Sequence, residues 1–178
     1  MKVILISGRQ GSGKSTLAKA IAKRHHLTGV HKFAAPLYEM HDEIHRIAGQ
    51  PITVIDGTLL QYLGTEWGRK RFGVDVWVKS LAVRLKSDWS PVCVVDDLRF
   101  RSEAEHLKLY LPSGASVYKI RLNADEGIRR LRAQKWRTDT THQSEVDLDD
   151  YKDWDLVIDT NSMCLDEYVD QVLKVCGL

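Results

Sequence analysis

Eight residues near the start of the chain constrain it more than any others. Gly8-Arg9-Gln10-Gly11-Ser12-Gly13-Lys14-Ser15 satisfies G-x-x-x-x-G-K-[ST]. The motif directly follows an apolar run, Val3 to Ile6, and opens a helical pattern near Lys14. In that strand-loop-helix frame, Gly8, Gly11 and Gly13 let backbone N–H groups converge on phosphate oxygens without interference from a Cβ. The helix start adds its positive end, and the Lys14 ammonium neutralises β and γ phosphates. Ser12 and Thr16 belong to the same nucleotide-binding stretch, and Ser15 is expected to hold Mg²⁺. The ligands implied are ATP and Mg²⁺, with no indication yet of what accepts a phosphoryl group.

The pattern around the motif predicts an α/β fold of three layers, a P-loop NTPase fold with a parallel sheet flanked by helices. Apolar, β-rich segments at residues 2–7, 92–96, 116–122 and 156–160 alternate with helical patterns that begin near Lys14 and Ser102, and with a closing helix. That helix carries Leu165, Tyr168, Val169, Val172 and Cys176 as one apolar stripe. Trp77, Leu81 and Leu85, flanked by Val74 and Val78, form a second stripe. Residues 34–86 contain no convincing strand and read as a helical insertion, a common place for a substrate site. The chain reads as a single domain of 178 residues: a core of residues 1–33 and 88–178, a helical acceptor region at 34–87, and a short lid at about 129–145.

Charge and cysteine content exclude several classes. Lys+Arg number 26 against 24 Asp+Glu, a formal net charge of +2, which does not suit a protein that coats a polyanion. Cys93, Cys164 and Cys176 are odd in number and lack C-x-x-C spacing, so reduced buried thiols are expected rather than disulfides or a cysteine zinc site. The longest apolar opening run is too short for a membrane span or signal segment, so the chain is expected to be soluble, unprocessed and cytoplasmic, with no membrane partner. Neither Asn123 nor Asn161 is followed by lysine, which disfavours a signalling GTPase.

Three further segments carry chemistry. The strand from Val92 delivers Asp96, Asp97 and Arg99 at its carboxyl end, where ligands bind in parallel sheets. One aspartate can order Mg²⁺ or its water, and Arg99 can fork onto a phosphate. The run from Gln61 to Arg69, with Thr65, Glu66, Trp67 and two glycines, is poor core material; with Trp77 it offers arginine for a phosphate, aromatic faces for a base, and amide or carboxylate groups for base edges. The alternative reading of Trp67 and Trp77 is as core anchors, and it is strongest for Trp77, which lies in the apolar stripe. Arg129, Arg130, Arg132, Lys135 and Arg137 precede a stretch ending in His142-Gln143-Ser144-Glu145. An acidic run follows at once, so a lid over the transferring phosphoryl fits better than stable nucleic-acid binding. His41 and His45 stand at i, i+4, but Glu43 is one place off the H-E-x-x-H spacing, and a solvated helix surface is expected there. His25 and His26 are read as capping the end of the first helix.

Taken in order, the P-loop, Phe33-Ala34-Ala35-Pro36-Leu37, Leu60-Gln61-Tyr62-Leu63-Gly64-Thr65-Glu66, Asp75-Val76-Trp77-Val78-Lys79, Asp97-Leu98-Arg99 with Glu103, Thr141-His142-Gln143-Ser144-Glu145 and Asp155 to Asn161 resemble the bacteriophage deoxynucleoside monophosphate kinases. The resemblance covers nearly the whole chain. It implies transfer of the ATP γ-phosphoryl to a deoxynucleoside monophosphate, in the host cytoplasm, for DNA synthesis. It implies that Lys14 and Ser15 serve ATP and Mg²⁺, and that Asp97 is the metal-ordering carboxylate rather than Asp96. It implies an acceptor site built from Phe33, Ala34, Leu37, Gln61, Thr65, Trp67, Arg69, Trp77, Arg99, His142 and Glu145, with Arg132 and Arg137 as lid arginines. The last strand is also similar to that of animal phosphomevalonate kinase, which keeps a non-nucleotide phosphate acceptor open. An ATP-dependent nucleic-acid-binding module is the alternative from another class. A homodimer is compatible with the sequence.

Overall fold

The computed structural model describes residues 1–26, 28–133, 142–162 and 164–178, apart from the side chain of Thr28. In chain order the elements are β1 (Lys2–Gly8), α1 (Lys14–Arg24), β2 (Thr28–His31), α2 (Ala35–Ile47), α3 (Gly57–Gln61), a π-helix (Tyr62–Arg69), α4 (Lys70–Phe72), α5 (Val76–Ser87), β3 (Val92–Leu98), α6 (Arg101–His106), a 3₁₀ turn (Leu107–Tyr110), β4 (Ser116–Asn123), α7 (Glu126–Arg132), α8 (Gln143–Val146), β5 (Leu156–Asp159) and α9 (Leu165–Val175).

The strands pair in the order β2-β3-β1-β4-β5, all parallel. β1 is central because it is apolar on both faces, and alternation divides it between two cores. Val3 and Leu5 join Cys93, Val95, Val78, Leu81 and Leu85 on one side. Ile4 and Ile6 join Leu17 and Ile21 of α1, and Val169 and Val172 of α9, on the other. This is the three-layer α/β fold expected from the alternating pattern.

The four predicted strands are present within one or two residues of their expected ends. β2 is not among them. It is four residues long and contains Gly29, so it carries neither a hydrophobic run nor a period; its partner β3 specifies it through the pairs Val30 with Val94 and His31 with Val95. Residues 34–86 are helical or irregular as expected. The closing stripe is buried at Tyr168, Val169, Val172 and Cys176, with Leu165 at its edge. In the second stripe Trp77, Val78, Leu81 and Leu85 are buried, but Val74 precedes the helix and is exposed.

Two smaller expectations are corrected or refined. His41 is not on a solvated surface: it is fully buried. Its Nε2 accepts from the Asp56 backbone N–H at 3.0 Å, its Nδ1 faces Asp42 Oδ1 at 2.9 Å, and its ring stacks on His45 at 4.1 Å. The histidine therefore ties α2 to the turn that starts α3, where Asp56 caps the helix by accepting from Thr58 and Leu59 N–H. His25 does stand at the end of α1, its backbone N–H donating to the Ile21 carbonyl. Cys93 and Cys176 are buried free thiols and Cys164 is half-buried.

Leu81 joins α5 to the sheet and is 1% exposed. Leu81→Ala is expected to cost about 2–5 kcal/mol of unfolding free energy in urea titrations, the range for a buried leucine that leaves a cavity.

Candidate active site

The loop between β1 and α1 turns on glycine. Gly13 caps α1 at φ 94°, a left-handed conformation, and Gly11 has φ 80°. A Cβ on Gly11 would collide with the Arg129 carbonyl, so the glycine also lets the backbone of α7 lie on the loop. Ser12 N–H donates to the Arg9 carbonyl at 3.1 Å, and the Ser12 carbonyl accepts from Thr160 Oγ1 at 3.1 Å, fastening the loop to the end of β5. Ser15 and Thr16 are exposed in the first turn of α1.

Lys14 Nζ donates to the carbonyls of Gly8 at 2.6 Å and Arg9 at 3.1 Å. The ammonium is enclosed although the residue keeps some exposed stem. Enclosure, then the Arg99 charge, bring its pKa down to about 7, with Glu145 and Asp96 acting in the opposite direction. Ser12 Oγ is buried with no hydrogen-bond partner among the described residues. An unpartnered buried hydroxyl, a desolvated ammonium and the positive end of α1 form a donor set suited to a polyphosphate. The same cleft is walled by Leu165 and Tyr168 and reached by Arg132, whose NH2 donates to the Thr160 carbonyl at 2.7 Å. Arg132 thus stands on the nucleotide side of the loop. Arg137 and Lys135, the other predicted lid cations, lie outside the described residues, as do residues 134–141 as a whole.

The two aspartates ending β3 have separate tasks. Asp97 Oδ1 accepts from Phe33 N–H at 2.8 Å and Oδ2 from Ala34 N–H at 3.0 Å, so both oxygens organise the loop after β2. Burial raises its pKa and those amides oppose the rise. Asp96 is 4% exposed, ion-pairs with Lys32, and is close enough to Lys14 to act on its charge. Asp97, the metal carboxylate implied by the resemblance, serves as a backbone anchor here, and Asp96 is the carboxylate beside the P-loop lysine.

A second cleft opens between the helical insertion and the end of β3. Phe33, Ala34, Leu37, Gln61, Thr65, Arg69, Trp77, Arg99 and His142, all nominated from sequence, line it together. Tyr38, Phe100, Glu103 and Ser144 also line it and were not nominated. Trp67 is not on its wall: the indole packs edge-on against Phe72 at 5.0 Å. Glu145 is not on the wall either and instead ion-pairs with Arg99 NH1, which also donates to the Ser144 carbonyl at 3.4 Å.

The wall owes its shape to the π-helix, which places the Gln61 to Arg69 block on a wider turn than an α-helix, a form recurrent at functional sites. A Cβ on Gly68 would overlap the Trp77 ring, so the glycine admits the indole. Trp77 is both core and wall: it is buried, and its Nε1–H donates to the Gly64 carbonyl at 2.8 Å. Arg69 NH1 donates to the same carbonyl at 3.0 Å.

Glu103 is the organising group missed from sequence. It is 2% exposed; Oε1 accepts from Arg69 NH2 at 2.6 Å, and Oε2 accepts from the backbone N–H groups of Arg99 and Phe100, each at 3.0 Å. The Arg69 guanidinium lies 3.6 Å from the Phe100 ring centroid. Burial pushes the Glu103 carboxyl up to about 7 against the pull of Arg69 and the two amides. Its spacing of four residues after Arg99 was the available signal, but an acid in the first turn of a helix reads as a cap.

No protein-family model matches the sequence, and no curated protein matches it. Solved structures do share its fold. A gluconokinase from Sinorhizobium meliloti 1021 matches with TM-score 0.59 and 18% identity over 99% of this chain and 91% of its own. Shikimate kinase from Aquifex aeolicus matches at 0.55 and 14%, covering 99% and 96%. The Mycobacterium tuberculosis APS kinase in complex with AMPPNP and APS matches at 0.58 and 14%, covering 99% and 98%. At these identities the likeness is one of fold: the chain shares their three-layer α/β architecture along its length.

Two predictions follow from the geometry. Lys14 titrates near 7 rather than near its ordinary 10.5, and a polyphosphate beside it favours the charged form. Calorimetry with ATP at pH 8, in buffers of different ionisation enthalpy, is therefore expected to show proton uptake by the wild type and less uptake by Lys14→Met. Gly68→Ala forces the Trp77 ring outward and is expected to cost about 1–3 kcal/mol of stability in denaturant titrations.

Proposed function

We propose that the chain is a P-loop kinase that transfers the γ-phosphoryl of ATP to the phosphate of a deoxynucleoside monophosphate, giving a deoxynucleoside diphosphate. The observation that carries this reading is the adjacency of two clefts at the carboxyl ends of neighbouring strands. One holds Lys14 and the other Arg99, and the two cations are close enough for Arg99 to depress the pKa of Lys14. The fold neighbours, kinases by name, favour phosphoryl transfer to a small molecule, and the order of sequence blocks favours a nucleotide acceptor.

In this reading Gly8, Gly11, Ser12, Gly13, Lys14 and Thr16 hold the polyphosphate, and Ser15 with Asp96 would hold Mg²⁺, which would supply charge neutralisation to the phosphates. Arg99 takes the acceptor phosphate. Gln61 and Thr65 face the base edges, and Phe33, Phe100 and Trp77 supply apolar walls. In-line attack by an acceptor phosphate oxygen forms the new P–O bond as the bond to ADP breaks, with no covalent enzyme intermediate. Arg132 contributes positive charge at the P-loop cleft, and Arg137 is given the same role by the resemblance alone.

A coupled ADP-release assay against dAMP, dGMP, dCMP and dTMP tests the reading; turnover with at least one is expected, and ADP release indifferent to every monophosphate would refute it. Lys14→Ala is expected to remove turnover with the fold intact by circular dichroism. Arg99→Ala is expected to raise KM for the acceptor and to lower kcat, by about 10²-fold in kcat/KM, the scale for losing one preorganised charge donor. Unchanged kinetics would take Arg99 out of the site.

A further inference from the structure

From His142 onward the chain runs along the Arg99 cleft as an acidic segment, and its carboxylates pair with arginines there and nearby. Glu145 pairs with Arg99. Asp147 Oδ2 accepts from Arg101 N–H at 2.7 Å, and Asp150 Oδ1 from Arg101 NH2 at 2.8 Å. Asp149 pairs with Arg9 of the P-loop and approaches Arg121 NH2 at 3.4 Å. Leu148 and Tyr151 are buried in the core between these contacts, so the segment is pinned by packing as well as by charge.

Glu145 is the exceptional member. The other carboxylates hold cations at the rim, whereas Arg99 lines the acceptor cleft itself. The Glu145 side chain is only 13% exposed, and its charge reaches Lys14 as well as Arg99. A carboxylate on the guanidinium that is to take a phosphate is a rival for the same donors.

We propose that Glu145 is a built-in competitor of the acceptor's phosphate: it holds Arg99 until a dianionic phosphate displaces it, so that the site selects acceptors bearing a phosphate over neutral hydroxyl acceptors. This rests on the kinase reading above and specifies how its acceptor is chosen. A hydroxyl group cannot displace a carboxylate from an arginine; a phosphate dianion brings more charge and three oxygens to the same fork. Displacement also removes the ion pair that ties α8 to the cleft wall where His142 and Ser144 stand, leaving the helix held from Asp147 onward.

The test fills the P-loop first with a non-hydrolysable ATP analogue and Mg²⁺, then titrates inorganic phosphate calorimetrically into wild type, Glu145→Gln, Arg99→Ala and the double variant. Glu145→Gln, which keeps size and hydrogen bonding, is expected to bind phosphate about threefold to tenfold more tightly. The double variant is expected to show none of that gain. Equal or weaker binding by Glu145→Gln, or a gain that survives loss of Arg99, overturns the proposal. Wild-type protein provides a check that needs no variant: backbone hydrogen exchange at residues 143–147 is expected to speed up at saturating phosphate, and unchanged exchange counts against displacement. The two readings fail separately. If no deoxynucleotide supports ADP release while the phosphate titrations behave as expected, the nucleotide acceptor is wrong and the Glu145 rivalry stands. If deoxynucleotides are turned over but Glu145→Gln binds phosphate no better, the reverse holds.

Discussion

The parallel pairing of β1 with β3 is the contact on which the rest of the structure depends. β1 leads into the P-loop and β3 carries Asp96 and Asp97 and leads into Arg99, so their register, from Lys2 with Val92 to Ser7 with Leu98, decides how far the P-loop cleft lies from the Arg99 cleft. The register shifts between Leu5 and Ser7, at the end where the two loops leave the sheet. Hydrophobic alternation locks the pairing: sliding β3 by one residue would turn Cys93 and Val95 away from α5 and send Val94 into their place. The geometry that brings Lys14 within electrostatic range of Arg99 is thus a by-product of core packing.

On that frame the acceptor side is held by buried charge. Glu103 collects two backbone amides and one guanidinium and joins the helical insertion to the end of β3. Asp97 does the same for the loop after β2. Both carboxyls are pushed upward by burial, and both keep their place through the hydrogen bonds they accept. Removing either would leave backbone N–H groups without partners, a cost that falls on the cleft wall itself.

Legibility in the sequence followed the range of the forces involved. The P-loop, the four long strands and the two apolar stripes are local patterns, and they were readable as such. β2 was not, because four residues that include a glycine take their conformation from a neighbour 64 residues away. That several residues of the Gln61 to Arg69 block would share one cleft was readable from residue chemistry, since an amide, hydroxyl and guanidinium in one short block are poor core material. Trp67 was open to two readings because an indole packed on Phe72 and one facing a ligand look alike in sequence. His41 was misread because the surface helix it sits on is covered by the Asp56 turn, a tertiary contact. The division of labour between Asp96 and Asp97 depends on which face of a strand meets which loop, and adjacent residues in a strand always face opposite ways.

The π-helix carries a further consequence for how this site can vary. Its i to i+5 bonding is seen where Lys70 N–H donates to the Thr65 carbonyl, so residues 62–69 form a wider turn than a regular helix would. Loss of a single residue there would let the segment tighten to an ordinary helix with the chain beyond it close to its present facing, so the change would fall on the residues inside the block. Thr65 would leave the wall without any change in its own identity. The acceptor pocket is therefore sensitive to chain length in this block as well as to composition, and related chains that differ here by one inserted or deleted residue would present a different set of side chains to the acceptor.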